Sequence, residues 1–488
     1  LIALLAPAGA SAKLAEAYLR QGDVYTLLKR FDAANRALET ALRITRERGD
    51  AAGERNALRS IGLLRWHEGN NAEALAITEY ALAIDRERQD EHAVAGDLAN
   101  LGIILKDMGE YDRARQCLED ALQLQVVSDD PFKQSFVLHN LANVCRALGQ
   151  TEQALAHLRR ADDLAREPKL PIQRSFHLTA IAHLYLQQGD IEESLRVYRK
   201  ALELSREARH ADGLAQALRA LGEVLYGLGR NAEALPLFTE GTALFAQLED
   251  HRSEALMWRR IAAIREREGA FDDASAAWDA ARSLHRLVDD VSDELEALEG
   301  LARCTRKQST RPVATAIALY EQAISLAAAR GEQRREGSLR NQLGILEWER
   351  GEYGNALRQY EVAVRIFRDL GDHVHEGLML NSLGVTLCKL QRHDEARTVL
   401  EQGLALNRKT GERLLEAHSL AALGEVYVGI GRLEEAATHY EQALAIRRAM
   451  GDRQGEERLL QQIARVRSAH GADNEATRRT HAHPPTRE

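Results

Sequence analysis

Histidine and carboxylate motifs of the kind that bind metals are sparse in this sequence. His373-Val-His375-Glu376 places two imidazoles and a carboxylate close together along the chain, and such groups can ligate a metal ion. The motif lies between two segments of helical periodicity, where polar loop residues are expected, so we predict no metal site there. His481 and His483 lie in a polar C-terminal stretch, and we predict no metal site there either.

Phosphate-binding loops and activated nucleophiles are also missing as motifs. The chain contains no HExxH, GxSxG, GxxxxGKS or GxxxxGKT pattern, and no GxGxxG pattern after a strand. Gly227-Leu-Gly229 and Gly429-Ile-Gly431 each end a helical segment, and we interpret both as turns. The sequence therefore predicts no enzyme activity, no cofactor and no metal.

Charge and cysteine content narrow the class of protein. The chain has 65 Lys and Arg against 74 Asp and Glu, a net charge of −9, which argues against a general nucleic-acid binder. No apolar run reaches the roughly 18–20 residues of a membrane span. The four cysteines are far apart and follow no CxxC spacing. They indicate core side chains in a reducing compartment, and we expect the cytoplasm.

The elements that position the side chains follow a 40-residue repeat. A large aliphatic residue followed by Gly or Ala recurs every 40 residues, apart from one 42-residue step. These pairs are Ile61-Gly62, Leu101-Gly102, Leu141-Ala142, Ile181-Ala182, Leu221-Gly222, Ile261-Ala262, Leu301-Ala302, Leu343-Gly344, Leu383-Gly384, Leu423-Gly424 and Ile463-Ala464. A second ladder of small residues runs 12 positions behind, beginning at Ala74, Ala114 and Ala154. Small residues in step, with helix formers dominating, predict stacked helical hairpins that approach closely.

This repeat resembles the tetratricopeptide repeat (TPR) family. The family pattern places Leu-Gly and then Tyr on the first helix and two alanines on the second. The matching residues in the last full repeat are Leu420, Leu423, Gly424, Tyr427, Ala436 and Ala443. The long period is similar to kinesin light chains, spindle-orientation adaptors and the C-terminal arrays of bacterial signal-transduction ATPases. The resemblance implies an all-α, right-handed superhelical solenoid with a concave groove lined by the first helix of each repeat.

The repeat also defines the predicted domain organisation. We expect about eleven helix–turn–helix repeats over residues 12–470 and a capping helix at 454–469. Repeats should start near residues 12, 52, 92, 132, 172, 212, 252, 292, 334, 374 and 414. Residues 1–11 are interpreted as the end of an upstream helix, and the polar residues 471–488 as a disordered tail. Two extra residues within 307–312 predict a longer turn in repeat eight.

The groove positions implied by the family resemblance carry many basic and amide side chains. The residues expected to contact a partner are Arg59, Asn100, Lys106, Asn140, Asn143, Arg146, Arg219, Arg259, Arg260, Arg303, Arg306, Asn341 and Asn381. Across repeats two to eleven, the groove positions hold eleven basic and six acidic residues, opposite in sign to the whole chain. We hypothesise an acidic or carboxylate-bearing peptide ligand, especially between Arg219 and Lys307. The alternative is that these arginines pair with carboxylates on adjacent helices.

The leading functional interpretation is a non-enzymatic scaffold for a protein or peptide partner, with no membrane or nucleic-acid partner. The alternative is the C-terminal sensor arm of a larger bacterial signal-transduction ATPase or transcriptional regulator. On the acidic-peptide hypothesis, reversing Arg259 and Arg260 to Glu should weaken partner binding and leave thermal melting unchanged.

Overall fold

The computed structural model describes residues 12–27, 30–127, 130–167, 169–308 and 312–481. Within these ranges the chain forms 23 helices and no strand, which confirms the all-α prediction. The chain divides into two compact units, Leu1–Leu248 and Glu249–Glu488. Residues 1–11, predicted to end an upstream helix, lie outside the described residues.

The first unit contains six helical hairpins, each formed by an odd-numbered A helix and an even-numbered B helix. Its helices are α1 (Ala12–Leu27), α2 (Phe31–Glu47), α3 (Ala51–His67), α4 (Asn71–Glu87), α5 (Glu91–Asp107), α6 (Tyr111–Val127), α7 (Pro131–Ala147), α8 (Thr151–Leu164), α9 (Pro171–Gln187), α10 (Ile191–Ala208), α11 (Ala211–Gly227) and α12 (Asn231–Gln247). Each A helix packs on its own B helix, and each B helix packs on the A helix that follows within the unit.

The second unit contains five hairpins and a final helix. Its helices are α13 (His251–Arg267), α14 (Phe271–Leu287), α15 (Val291–Lys307), α16 (Val313–Ala329), α17 (Gln333–Glu349), α18 (Tyr353–Asp369), α19 (His373–Lys389), α20 (His393–Thr410), α21 (Arg413–Gly429), α22 (Leu433–Ala449) and α23 (Arg453–His481). Five residues separate α15 from α16, whereas the other A and B helices are three residues apart. The longer turn accounts for the 42-residue step; residues 309–311 within it lie outside the described residues.

The final helix is longer than the sequence pattern indicates. Helix α23 continues to His481, whereas the sequence analysis predicted a disordered tail from residue 471. That prediction relied on the loss of apolar periodicity. Ala, Arg and Glu in this stretch keep a high helix propensity, and no proline occurs before Pro484. Residues 482–488 lie outside the described residues.

Turn residues fix the length of each helix. Gly109 follows α5 with φ +82°, and its N–H donates to the Lys106 carbonyl at 3.0 Å. The Glu110 N–H donates to the Leu105 carbonyl at 2.9 Å, which closes the helix with the bond pattern typical of a glycine terminator. The preceding turn ends with Asp90, whose carboxylate accepts the Ala93 N–H at 3.1 Å and caps α5.

Within six of the hairpins a glycine of the A helix faces a bulky side chain of the B helix. A Cβ placed on Gly102 would lie 2.4 Å from Leu118 Cγ, and one on Gly222 would lie 2.7 Å from Phe238 Cε1. Leu118 and Phe238 are fully buried. The Leu-Gly ladder is therefore the place where the paired helices approach most closely, as the repeat predicts.

Buried ion pairs connect successive A helices in the first unit. Arg59 on α3 donates from Nε to Asp97 Oδ1 of α5 at 2.7 Å, and its Nη2 lies 3.3 Å from Asp85 Oδ2. Arg55 also pairs with Asp85 at 3.1 Å. The Asp85 and Asp97 side chains are fully buried, so these arginines compensate carboxylates that would otherwise be costly to bury.

The Gly102 contact predicts a large effect of side-chain size. Gly102→Val should lower the free energy of unfolding by about 1–3 kcal/mol, because the new side chain overlaps Leu118. Gly96→Ala on the same helix should instead raise it by about 0.5–1 kcal/mol, since the nearest atom to an added Cβ is 4.0 Å away. Urea denaturation followed by circular dichroism tests both. Equal effects of the two substitutions would contradict the close approach.

Asp97 predicts a pH dependence of stability. Burial raises the pKa of Asp97 to about 6, although Arg59 acts to lower it. An unfolded aspartate titrates at about 3.9, so the native state holds the extra proton between these values and stability falls as pH rises through them. As the pH rises from 4 to 7, the free energy of unfolding of Asp97→Asn should gain on the order of 1 kcal/mol relative to that of the wild type.

The same denaturation series at each pH measures this gain. Asp112, whose side chain is 83% exposed, provides the control. A pH dependence of Asp112→Asn equal to that of Asp97→Asn would show that burial of Asp97 is not its source.

Candidate functional site

The A helices of the first unit each leave one stripe of side chains accessible. On α7 the accessible or half-buried side chains include Phe132, Phe136, His139, Asn143 and Arg146. Spacings of three and four residues place them on one side of the helix. We define the A-helix face as this stripe with its equivalents on α9 and α11: Phe176, Ala180, His183, Gln187, Gln216, Arg219, Glu223 and Gly227.

Three phenylalanines form an apolar area on the A-helix face. Phe132 and Phe136 are each 46% exposed, and Phe176 is 41% exposed. Phe136 and Phe176 are 40 residues apart and occupy the same position of consecutive repeats. The chain has eight phenylalanines, and the other five are buried or half-buried. Large exposed rings in a cluster are typical of interaction surfaces.

Two adjoining cavities lie further along the same A-helix face. A cavity of about 390 Å³ between α7 and α9 is lined by Asn143, Arg146 and His183, among others. A cavity of about 420 Å³ between α9 and α11 is lined by His183, Arg219 and Glu223, among others. His183 and Leu186 contribute to both cavities. The A-helix face therefore combines an apolar area with polar recesses on three successive helices.

Histidine contacts hold these helices in place. His139 Nδ1 lies 3.1 Å from His177 Nδ1, which links α7 to α9. Burial lowers the pKa of His139 to about 4 and that of His177 to about 3, so both rings are neutral near pH 7. His183 Nδ1 lies 2.7 Å from the Tyr198 hydroxyl of α10. The hydroxyl fixes the orientation of the His183 ring that separates the two cavities.

Several residues predicted to contact a partner in the first unit have intramolecular partners instead. Arg59 forms ion pairs with Asp85 and Asp97. Lys106 Nζ lies 2.8 Å from the Asp107 carboxylate. Asn140 is 8% exposed, and its amide donates to the Phe136 carbonyl at 2.9 Å. Asn140 lies off the accessible stripe, because it follows His139 by one residue and turns about 100° away from it.

The other predicted residues of the first unit remain accessible to different degrees. Asn143 and Arg146 line the first cavity, and Arg219 lines the second, where its guanidinium donates to Gln216 Oε1 at 2.7 Å. No carboxylate of the described residues lies within ion-pair distance of Arg146. Asn100 is half-buried on α5. The structure thus places Asn143 and Arg146 in one cavity and Arg219 in the adjoining one.

In the second unit, carboxylates on neighbouring A helices pair with the predicted residues Arg259, Arg303 and Arg306. Arg303 donates to both Glu266 oxygens, at 2.5 and 2.8 Å, and Arg306 lies 2.5 Å from Glu349. Arg259 pairs with Asp293 at 2.8 Å and also with Glu296. Arg260 is half-buried on α13.

A cavity of about 550 Å³ in this region is charge-balanced. Its charged lining residues are Glu266, Glu296, Glu299, Arg267, Arg303 and Lys307. The excess of basic residues counted along the sequence is therefore compensated here. The arrangement matches the alternative interpretation in which arginines connect adjacent helices.

The two predicted asparagines of the second unit differ in their surroundings. Asn341 is half-buried on α17. Asn381 is 6% exposed; it accepts a hydrogen bond from the Ser419 hydroxyl at 2.6 Å and donates to the Leu415 carbonyl at 3.1 Å. These bonds use the Asn381 amide to join α19 to α21.

The exposed phenylalanines were missed by the sequence analysis. The groove positions taken from the family resemblance began two residues before the leucine of each Leu-Gly pair, whereas Phe136 and Phe176 lie five before it. Helical spacing extended backwards from His139 would have reached Phe136. The repetition of a scarce residue type at a 40-residue interval was the available signal.

Family comparisons cover more than half of the chain. A tetratricopeptide repeat model matches residues 94–167, 174–247 and 376–449, and a second tetratricopeptide repeat model matches residues 15–48. A model described as anaphase-promoting complex subunit 5 matches residues 55–107. A search of curated proteins gives no match.

Solved structures are similar in fold at low identity. One is the Signal Transduction ATPase with Numerous Domains (STAND) protein with a tetratricopeptide repeat sensor from Pyrococcus horikoshii, which is 12% identical with a TM-score of 0.50. The match covers 70% of this chain and 53% of the Pyrococcus protein, so this chain spans about half the length of that protein. A putative kinesin light chain repeat protein of Podosopora anserina is 17% identical, with 40% and 95% covered and a TM-score of 0.34. Yeast Tom70 is 14% identical, with 95% and 96% covered and a TM-score of 0.35. With the repeat matches and the stacked hairpins, the chain belongs to the tetratricopeptide repeat family.

Proposed function

We propose that the protein is a non-enzymatic scaffold that binds an extended peptide segment of a partner protein along the A-helix face of α7, α9 and α11. The observation that carries this proposal is that the exposed Phe132, Phe136 and Phe176 share one helix face with two adjoining cavities. Removing such rings from water stabilises a complex, and preformed helices lose little entropy on binding.

The side chains around the rings indicate the chemistry of the ligand. Apolar side chains of the peptide would pack on the phenylalanines, and one carboxylate would pair with Arg146, which has no carboxylate partner among the described residues. The Asn143 amide offers a donor and an acceptor for the peptide backbone. Since Arg59, Arg259 and Arg303 are already paired, we propose an apolar segment with a single acidic residue rather than an acidic run.

The alternative function is a sensor arm within a larger signal-transduction ATPase or transcriptional regulator. It is supported by the likeness in fold to the Pyrococcus horikoshii protein, whose description includes a tetratricopeptide repeat sensor. Both functions use the same face, and they differ in what peptide binding causes. An ATPase or DNA-binding domain in the same polypeptide would favour the sensor function.

The chemistry of the cysteines supports an intracellular reducing location. Cys117, Cys145, Cys304 and Cys388 are all free. Burial raises the pKa of the Cys304 thiol to about 12, which keeps it unreactive. We propose the cytoplasm as the location of the protein.

Peptide selection followed by substitution tests the A-helix face. Dodecapeptides selected from a displayed random library on the wild-type array should contain spaced Leu, Ile or Phe and one Asp or Glu. Phe136→Ala with Phe176→Ala should weaken their binding at least tenfold in fluorescence anisotropy, because each lost ring costs about 1–2 kcal/mol. Tyr80→Ala is the matched control, since Tyr80 is 54% exposed on a B helix. Unchanged binding by the double variant, or an equal loss in the control, would overturn the proposal.

Reversal of Arg259 and Arg260 should destabilise the protein, contrary to the expectation from sequence. A carboxylate at position 259 would face Asp293 and Glu296, so we expect a loss of about 2–4 kcal/mol in the free energy of unfolding. Arg146→Glu should change it by less than about 0.5 kcal/mol, since Arg146 has no ion pair to lose. Thermal melting compares the two variants. A double reversal as stable as Arg146→Glu would show that the Arg259 pairs contribute nothing.

A further inference from the structure

One position near the end of the B helices is buried at the junction with the following A helix, and its polar occupants have partners. In the first unit Asp85 pairs with Arg55 and Arg59. Ser205 lies 2.5 Å from the Ser175 hydroxyl. In the second unit Asn407 donates to the Ser419 hydroxyl at 3.0 Å.

Other repeats fill this position with an aromatic ring. Phe245 and Phe367 occupy it and are fully buried. Burial at this position favours an apolar side chain or a polar group with at least one hydrogen-bond partner.

His285 differs from the polar occupants described above. It occupies the same position of α14 and is 1% exposed, yet neither ring nitrogen has a hydrogen-bond partner among the described residues. The reason lies in its neighbours: Ala255 stands where the second repeat has Arg55, and Ala297 stands where the third repeat has Asp97. Burial lowers the pKa of His285, so the ring is neutral near pH 7 and has a free lone pair.

Two carboxylates lie next to this unpartnered imidazole. Asp290 Oδ2 lies 4.0 Å from His285 Nδ1, while its Oδ1 accepts the Asp293 N–H at 3.4 Å and caps α15. Asp293 Oδ2 pairs with Arg259 at 2.8 Å, which leaves Oδ1 for another ligand. One donor atom from each of His285, Asp290 and Asp293 lies within 4.8 Å of the others.

We propose that His285, Asp290 and Asp293 bind a divalent transition-metal ion such as Zn²⁺. One imidazole and two carboxylates form a donor set suited to such ions, and a small rotation of the carboxylates brings the donors to coordination distance. Asp290, Asp293 and Glu296 outnumber the nearby Arg259 by two negative charges, which a divalent cation neutralises. Asp290 and Asp293 are partly exposed, so water can complete the coordination.

The ion would join two repeats within the second unit. His285 belongs to the end of α14, whereas Asp290 and Asp293 belong to the start of α15. Binding would satisfy the buried imidazole and restrain this junction. The site would then stabilise the fold where other repeats use Arg–Asp or Asn–Ser contacts.

Zinc titration of the metal-stripped full chain tests this site. Competition with a chromogenic chelator should show zinc binding that His285→Phe weakens more than about 100-fold, since it removes a direct ligand. Phenylalanine already occupies the equivalent position in two repeats, so this variant should fold. Asp290→Asn should also weaken binding while keeping an oxygen for the helix cap. Zinc should raise the melting temperature of the wild type but not of His285→Phe.

The exposed histidines of α19 provide the control. His373 and His375 lie beside Glu376 and Asp372, so His373→Ala with His375→Ala removes the competing zinc ligands and should leave the binding intact. Zinc binding unchanged by both His285→Phe and Asp290→Asn, or abolished by the His373 and His375 substitutions, would overturn the proposal.

Discussion

Six hairpins of this protein depend on the contact between a glycine of the A helix and a large side chain 16 residues later on the B helix. Gly102 against Leu118 and Gly344 against Tyr360 leave no room for a Cβ. The contact holds the two helices of a hairpin close together and fixes which side of the A helix is buried. The opposite stripe remains accessible, and this stripe on α7, α9 and α11 carries the candidate site.

The fold could be predicted from the sequence because its determinants are local and repeated. The Leu-Gly ladder marks the close helix contact, and Gly109 with its positive φ marks a turn at the expected place. The A helices after α1 begin one residue before their predicted starts. The end of α23 was missed because helix propensity, without apolar periodicity, sustains the helix to His481.

The candidate site was harder to predict because it depends on contacts between helices far apart in sequence. Arg303 and Glu266 are 37 residues apart, and Arg306 and Glu349 are 43 apart. The charge count from the sequence covered only the predicted groove positions. It therefore included Arg259 but omitted its partners Asp293 and Glu296. Asn143 and Arg146 were found because family positions coincide with the accessible stripe there, whereas Phe136 and Phe176 lay outside those positions.

The central claim is that the A-helix face of α7, α9 and α11 binds a peptide. Hydrogen–deuterium exchange of the array with and without a saturating selected peptide tests it most directly. We expect added protection concentrated in residues 131–147, 171–187 and 211–227, because a bound segment covers and restrains those helices. Protection confined to the B helices or to residues 251–470 would contradict the account.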